Sequence, residues 1–321
     1  MGRYVGRRLL VALPTLLLIS FVVFAILALA PGDPLAQFAL NPAIPPEVRE
    51  NIRRSLGLDQ PWPIRYVKWL LAALQGDLGY SFQSRVPVMG LILQRLPNTL
   101  AVLGVAYILA VMLAIPIGVI SAVKRYSLFD HAATTFAFIG FSVPTFFTGV
   151  LLILLFSVRL HWLPFIYDST LKISVTDLST ITAQLRQSIM PITVLTLFQT
   201  ATLARFVRSE MIENLPLDYV RTARAKGLTE QFVVIRHVLR NSLIPVVTLI
   251  ALGVPTVFAG ALITEQIFRV PGIGALLIDG INNSDTPVVM GATFIFSVLV
   301  VLFNIVADVL YGVLDPRIRY D

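Results

Sequence analysis

The stretch from Leu96 to Val123 reads LPNTLAVLGVAYILAVMLAIPIGVISAV, 28 residues without an acidic or basic side chain. About 20 apolar residues in a helix cross the ~30 Å of hydrocarbon in a bilayer, so this segment is long enough to span one. It must do so as a helix, because lipid offers no partner to an open backbone N–H or C=O. Five more uncharged stretches meet or approach that length: Leu9–Ala30, Ala132–Val158, Gln187–Ala204, Asn241–Thr264 and Thr286–Ala307. The stretch Gln187–Ala204 is the shortest, closed in by Arg186 and Arg205. Composition agrees: 56% of the 321 residues are hydrophobic, 13% are charged, and the mean hydropathy is +0.82. Soluble domains carry roughly a quarter charged residues. The expectation is an all-α membrane protein with six transmembrane helices.

The first stretch imitates a secretory signal, with Arg3, Arg7 and Arg8 before it and Ala28-Leu29-Ala30 at its end. A signal's apolar core runs only ~7–15 residues, so an uncleaved first helix is expected. Basic residues orient the spans. With the N-terminus inside, the cytoplasmic segments hold 14 lysines and arginines and the short outer loops hold four, Arg159, Lys172, Arg186 and Arg269. Basic residues concentrate on the cytoplasmic side, which places both termini there. The same rule accounts for the net charge of +7 without nucleic acid as a partner. There are no cysteines, which excludes disulfides, thiolate metal sites and cysteine nucleophiles.

Three regions follow: residues 1–30, tail and first span; residues 31–95, a long outer loop; and residues 96–321, the remaining five spans with a cytoplasmic loop over 205–240. In the outer loop, Val48, Ile52 and Leu56 recur at helical spacing within Pro46–Gly57, and Ile64, Val67, Leu70, Leu71 and Leu74 make a second apolar stripe. These two amphipathic helices are expected either on the membrane surface or against the helix bundle. In the cytoplasmic loop, Asp218 is placed to cap a helix over Tyr219–Lys226, and Gly227 to end it in a left-handed turn. Thr222, Ala223 and Ala225 are small enough for close docking, while Arg221, Arg224 and Lys226 suit acidic partners. A second helix starts at Thr229, with Phe232, Ile235, Val238 and Leu239 expected on one face, and runs into the fifth span at Pro245.

Two series of residues now stand together: Tyr219-Val-Arg-Thr-Ala-Arg-Ala-Lys-Gly-Leu228 and His237-Val-Leu-Arg-Asn-Ser-Leu-Ile-Pro245. They resemble the coupling segment of ATP-binding-cassette importers that depend on a binding protein, and more narrowly the B-type permeases of the dipeptide, oligopeptide and nickel group. The likeness extends over the chain: Arg7-Arg8-Leu9-Leu10, Pro31-Gly32-Asp33-Pro34, Gly76-Asp77-Leu78-Gly79, Thr264-Glu265-Gln-Ile-Phe268, Pro271-Gly272-Ile-Gly274, Asp308-Val-Leu-Tyr-Gly312 and Asp315-Pro316-Arg317. Where the general importer loop has Glu-Ala-Ala, this chain has Arg221, Thr222 and Ala223, and its proline lies further downstream, as in the peptide and nickel branch. Before Pro287 it reads Ser284-Asp-Thr, where relatives often carry a basic residue and a tyrosine.

The resemblance implies a type I importer permease fold and half of a translocation pathway for di- or oligopeptides. It implies a bacterial or archaeal cytoplasmic membrane, a homologous C-type permease, two ATP-binding subunits and an extracytoplasmic substrate-binding protein. Asp218, Tyr219, Arg221, Thr222, Ala223, Arg224, Ala225, Lys226 and Gly227 would couple to the ATPase. Glu265, Pro271, Gly272, Gly274 and Asp308 would serve a gate or the structure around it. No catalytic or metal residue is implied, and no cofactor on this chain; ATP and Mg belong to the partner subunits. The sequence has no Gly-x4-Gly-Lys-Ser/Thr loop of its own to cradle phosphates. Permeases of the same group for nickel chelates, glutathione or another small solute share these features.

Two other classes compete. A secondary transporter or channel places ionisable groups within its spans, whereas Arg205, Glu265 and Asp308 sit at span ends. An intramembrane hydrolase would take Ser142, in Gly140-Phe-Ser-Val-Pro144, as nucleophile, yet His131, His161 and His237 all fall outside the spans. A Ser–Pro pair inside a span is read instead as a kink.

Overall fold

The computed structural model describes residues 2–29, 47, 50, 54, 59–168 and 178–314. Ten helices organise them: α1 (Gly2–Leu29), α2 (Trp62–Leu74), α3 (Val88–Val123), α4 (Leu128–Ser142), α5 (Thr145–Leu152), α6 (Leu178–Asn214), α7 (Asp218–Ala225), α8 (Arg240–Phe268), α9 (Ile273–Asn282) and α10 (Thr286–Leu314). Two π-helical turns extend this set, Ile153–Arg159 after α5 and Val233–Leu239, which follows a short turn Glu230–Phe232 and leads into α8. Five helices are long and apolar enough to cross a membrane, and seven spans result if two interrupted pairs are counted.

The first interrupted pair is the expected third span, bent by 102° between Leu128–Gly140 and Thr145–Arg159. Pro144 has no N–H to give and forces the residue before it out of the α region, so Val143 is extended at φ −85°, ψ 123°. Ser142 is the last residue of α4 and is exposed. The second interrupted pair, Ala261–Phe268 and Ile273–Asn282, adds α9 in a stretch expected to be only a turn after Pro271. Within the expected helix Pro46–Gly57 only Glu47, Glu50 and Arg54 are described, all helical and exposed, and Val48, Ile52 and Leu56 lie outside the described residues.

The chain forms two compact units, Met1–Gly6 with Asn98–Pro271 and Leu302–Asp321, and Arg7–Pro97 with Gly272–Val301. In the first, α6 is central and packs against α4, α5 and α8. Half of its apolar window is buried, against 11% for the first helix. Gln187, Ser188, Thr196 and Gln199 are among its buried residues, and Thr196 Oγ1 donates to Ala106 O of α3 at 3.2 Å. A span bounded so closely by charge is tolerated because protein, not lipid, surrounds its polar groups. Close approach of α3 to α6 is permitted by Gly118, where a Cβ would lie 2.6 Å from Val207 Cβ.

In the second unit, Leu78, Val88, Ile92, Ile273, Leu276, Val288 and Ala292 form one buried cluster. Beside it α2 packs on α1 through Tyr66, whose hydroxyl lies 3.0 Å from Ser20 Oγ and donates to Leu17 O at 3.2 Å. The expected stripe of α2 is not the face that packs on the protein. Trp62, Tyr66, Trp69 and Leu70 pack inward, whereas Ile64, Val67, Leu71 and Leu74 are half or more exposed. The large rings have more area to bury, and the Tyr66 hydroxyl finds its partners on α1, which together favour the inner face.

Candidate functional site

The loop between α6 and α8 is built on alternation of burial. Helix α7 is preceded by extended Leu217 at φ −71°, ψ 153°, and no side chain caps it. Asp218 therefore does not cap: it is the first helical residue, its side chain 98% exposed, with Arg221 3.6 Å away. An acidic group in the first turn still suits the helix dipole. Gly227 does end the helix as expected, at φ 77°, its N–H bonded to Arg224 O at 2.9 Å.

Val220 and Ala223, one turn apart, point inward. They join Ala122, Val207, Met211, Val233, Val234, Val238 and Val246 in one buried cluster drawn from α3, α6, the π turn and α8. Ala223, expected among the coupling residues, is small enough to pack here on its own chain. Tyr219 turns back to α6, its hydroxyl 2.9 Å from Asn214 Oδ1. Arg221, Thr222, Ala225 and Lys226 remain on the exposed side. Arg224, expected to meet a partner, bonds the two carboxylate oxygens of Glu230 through Nη2 and Nε at 2.7 and 3.0 Å. That pairing raises the Arg224 pKa above the ordinary guanidinium value.

The second helix is also corrected. Val233, Val234 and Val238 are buried, while Phe232 and Ile235 are 48% and 56% exposed. The turn is π-helical, with i→i+5 bonding, so residues five apart share a face and Val233 stands over Val238 rather than Ile235.

At the far end of α8, Glu265 is 2% exposed and accepts from Thr99 Oγ1 at 2.6 Å. The adjacent Asn98 Nδ2 donates to Pro271 O at 3.1 Å, so two consecutive residues of α3 hold two of the expected outer residues. Arg269 ends α8 in the left-handed conformation at φ 55°, and Val270 N bonds Glu265 O at 2.9 Å. Gly272 and Gly274 belong to the other unit, Gly272 extended before α9 and Gly274 buried inside it. Asp308 lies on α10, partly buried.

Two constellations escaped the sequence reading. Asp130, buried at 2%, receives Arg208 Nε and Nη2 at 2.6 and 2.8 Å and the Tyr126 N–H at 2.9 Å, joining α4 to α6. Ser127 at the cap with an acid three residues on was a visible helix-start signal. Asp285 binds the segment Ser81–Gln83; their separation in sequence hid the pair. Among the described residues, no three His, Cys, Asp or Glu side chains group to hold a metal.

Comparison with known proteins decides the family. The model described as "Binding-protein-dependent transport system inner membrane component" matches residues 114–320, and its N-terminal counterpart matches residues 1–103. The chain belongs to this family. It is a transmembrane permease component of a binding-protein-dependent ATP-binding-cassette importer, whose ATP hydrolysis lies with partner subunits. It is similar to the oligopeptide transport system permease protein AppB of Bacillus subtilis, 42% identical over 100% of both chains. It is also similar to the dipeptide transport system permease protein DppB of Escherichia coli K12, 39% identical over 100% of this chain and 99% of the relative. A crystal structure described as an amino acid ABC transporter with histidines shares the fold, with a TM-score of 0.51 and 11% identity over 69% of this chain and 93% of that one.

Proposed function

We propose that this inner membrane component forms half of an import pathway for di- or oligopeptides and that α7 is where it receives work from an ATPase subunit. The two-sidedness of α7 carries the reading. Its inner residues Val220 and Ala223 are fixed in a cluster shared with α3, α6 and α8, while Arg221, Thr222, Ala225 and Lys226 face outward. A force on the outer face is delivered to three long helices at once, because close-packed interiors transmit displacement. Its basic side chains complement an acidic cleft. The density of basic residues in segments 205–240 supports a cytoplasmic location for this loop, and cytoplasmic termini with it. The names of the relatives support peptides as the cargo. A homologous second permease, two ATP-binding subunits and an extracytoplasmic binding protein complete the assembly.

The chain has no cysteine of its own, so single probes are clean. Thr222→Cys and Ala225→Cys, in the complex assembled with its ATPase subunits, are expected to crosslink to the ATPase, with a yield that changes on adding nucleotide. Lack of any crosslink from both positions in an assembly that hydrolyses ATP refutes the coupling role. Mass spectrometry of ligands retained by the co-purified binding protein tests the cargo: peptides support it, and a nickel chelate or glutathione alone overturns it.

A further inference from the structure

Asp285 is a buried carboxylate outside the coupling region, and what it holds is a surface loop. Its residue is 2% exposed. Ser81 Oγ donates to Oδ2 at 2.5 Å, the Phe82 N–H donates to Oδ1 at 3.0 Å, and the Gln83 N–H donates to Oδ2 at 3.2 Å. The loop is bonded to itself as well. Ser81 N donates to Val86 O at 3.0 Å, Val88 N to Gly79 O at 2.9 Å and Ser84 N to Ser81 Oγ at 2.9 Å, and Tyr80 pairs with Pro87 in an antiparallel bridge. Gly79 starts it at φ 84°. Every residue here belongs to one compact unit.

This framework holds the tip by its backbone, with Arg85 N donating to Ser81 O at 3.1 Å, and leaves its side chains outward. Tyr80 is 61% and Val86 40% exposed. Arg85 is exposed too and holds a left-handed backbone at φ 57°, a conformation unfavourable to a residue with a Cβ. Such an outlier persists only where its surroundings impose it, and it concentrates at functional positions. Tyrosine and arginine are the residues that most often anchor protein interfaces, and a loop ordered beforehand loses little entropy on docking.

We propose that Tyr80, Arg85 and Val86, held by Asp285, form a docking point for the extracytoplasmic binding protein, with Arg85 meeting an acidic group on it. The partner follows from the binding-protein dependence of the family, and the location outside the cell rests on the orientation given under Proposed function.

The test uses the complete transporter in phosphatidylglycerol-containing vesicles, with its binding protein titrated against ATP hydrolysis. Arg85→Glu and Tyr80→Ala are expected to raise the half-saturating concentration of binding protein about tenfold or more each, the effect of losing an interface anchor. Asp285→Asn is expected to do the same by loosening the loop. Should Asp285→Asn fail to fold, the two exposed positions carry the test. Gln83→Cys, bearing a photoreactive probe, is expected to crosslink to the binding protein. Unchanged half-saturation in Arg85→Glu and Tyr80→Ala, or a Gln83 probe that reaches only lipid under saturating binding protein, overturns the proposal. Hydrolysis by the unmodified assembly is measured first: lack of coupled hydrolysis there counts against the coupling reading and not against this one.

Discussion

Replacing Gly118 with alanine sets a single methyl group against the close approach of α3 to α6. Its Cβ would stand 2.6 Å from Val207 Cβ and 2.7 Å from both Ala204 O and Val207 Cγ1. Carbon atoms pack best at about 3.5–4.0 Å, so roughly an ångström of separation must be found. None of the atoms in the way is a flexible chain end: one is backbone, and a valine on a helix is held to one rotamer. Val207 is fully buried and Ala204 nearly so. Overpacking of this kind costs about 1–3 kcal/mol, while the change from glycine gains up to about 1 kcal/mol in helix propensity. Gly104, on the same helix, supplies the control because a Cβ there meets nothing within 4 Å. The propensity gain is common to both variants, so Gly118→Ala should be less stable than Gly104→Ala by about 1–3 kcal/mol. Equilibrium unfolding in mixed micelles measures the difference. Adding Val207→Ala should not restore stability, because the Val207 Cβ position and the Ala204 carbonyl both remain. Equal stability of the two glycine variants would refute the reasoning.

Three further outcomes are expected. Asp130→Asn weakens the bidentate grip on Arg208 and should lower stability by about 2 kcal/mol, less than a fully buried pair because Arg208 is 26% exposed; the same unfolding assay reads it. Val238→Ala should cost about 1–2 kcal/mol, whereas Ile235→Ala stays within about 0.5 kcal/mol, and the reverse order would show that the π turn is wrongly placed. Glu230→Ala should leave stability nearly unchanged, since exposed pairs contribute about 0–1 kcal/mol. It should nevertheless raise the ATP hydrolysed per solute moved, because Arg224 loses the contact that ties α7 to the start of the next helix.

What the sequence made legible follows from the range of each signal. Span length is a sum over about 20 residues, and no single side chain overturns it; that is why all six stretches recur as helices, one of them interrupted. Gly227 was legible because its requirement is local: a left-handed stop is met at least cost by a residue without a Cβ. The inward face of Val233–Leu239 was not legible. A period of 3.6 was assumed, and tertiary packing of Val233 and Val238 against Val220 selects a wider turn. The packing of Ala223 on its own chain was hidden for a related reason, since a small side chain suits close approach to any surface and the sequence does not say whose. Asp130 with Arg208 and Asp285 with Ser81 are partners 78 and 204 residues apart. No window along one chain brings them together.

The centrality of α6 has a consequence for biogenesis. Its polar residues are comfortable only once neighbouring helices surround them, yet its most extensive partner, α8, is synthesised after it. During translation this segment therefore enters the membrane before its final surroundings exist, and it must shelter against α4 and α5 or wait at the translocon. The helix that ends as the most protected is, for an interval, the one most dependent on a helper.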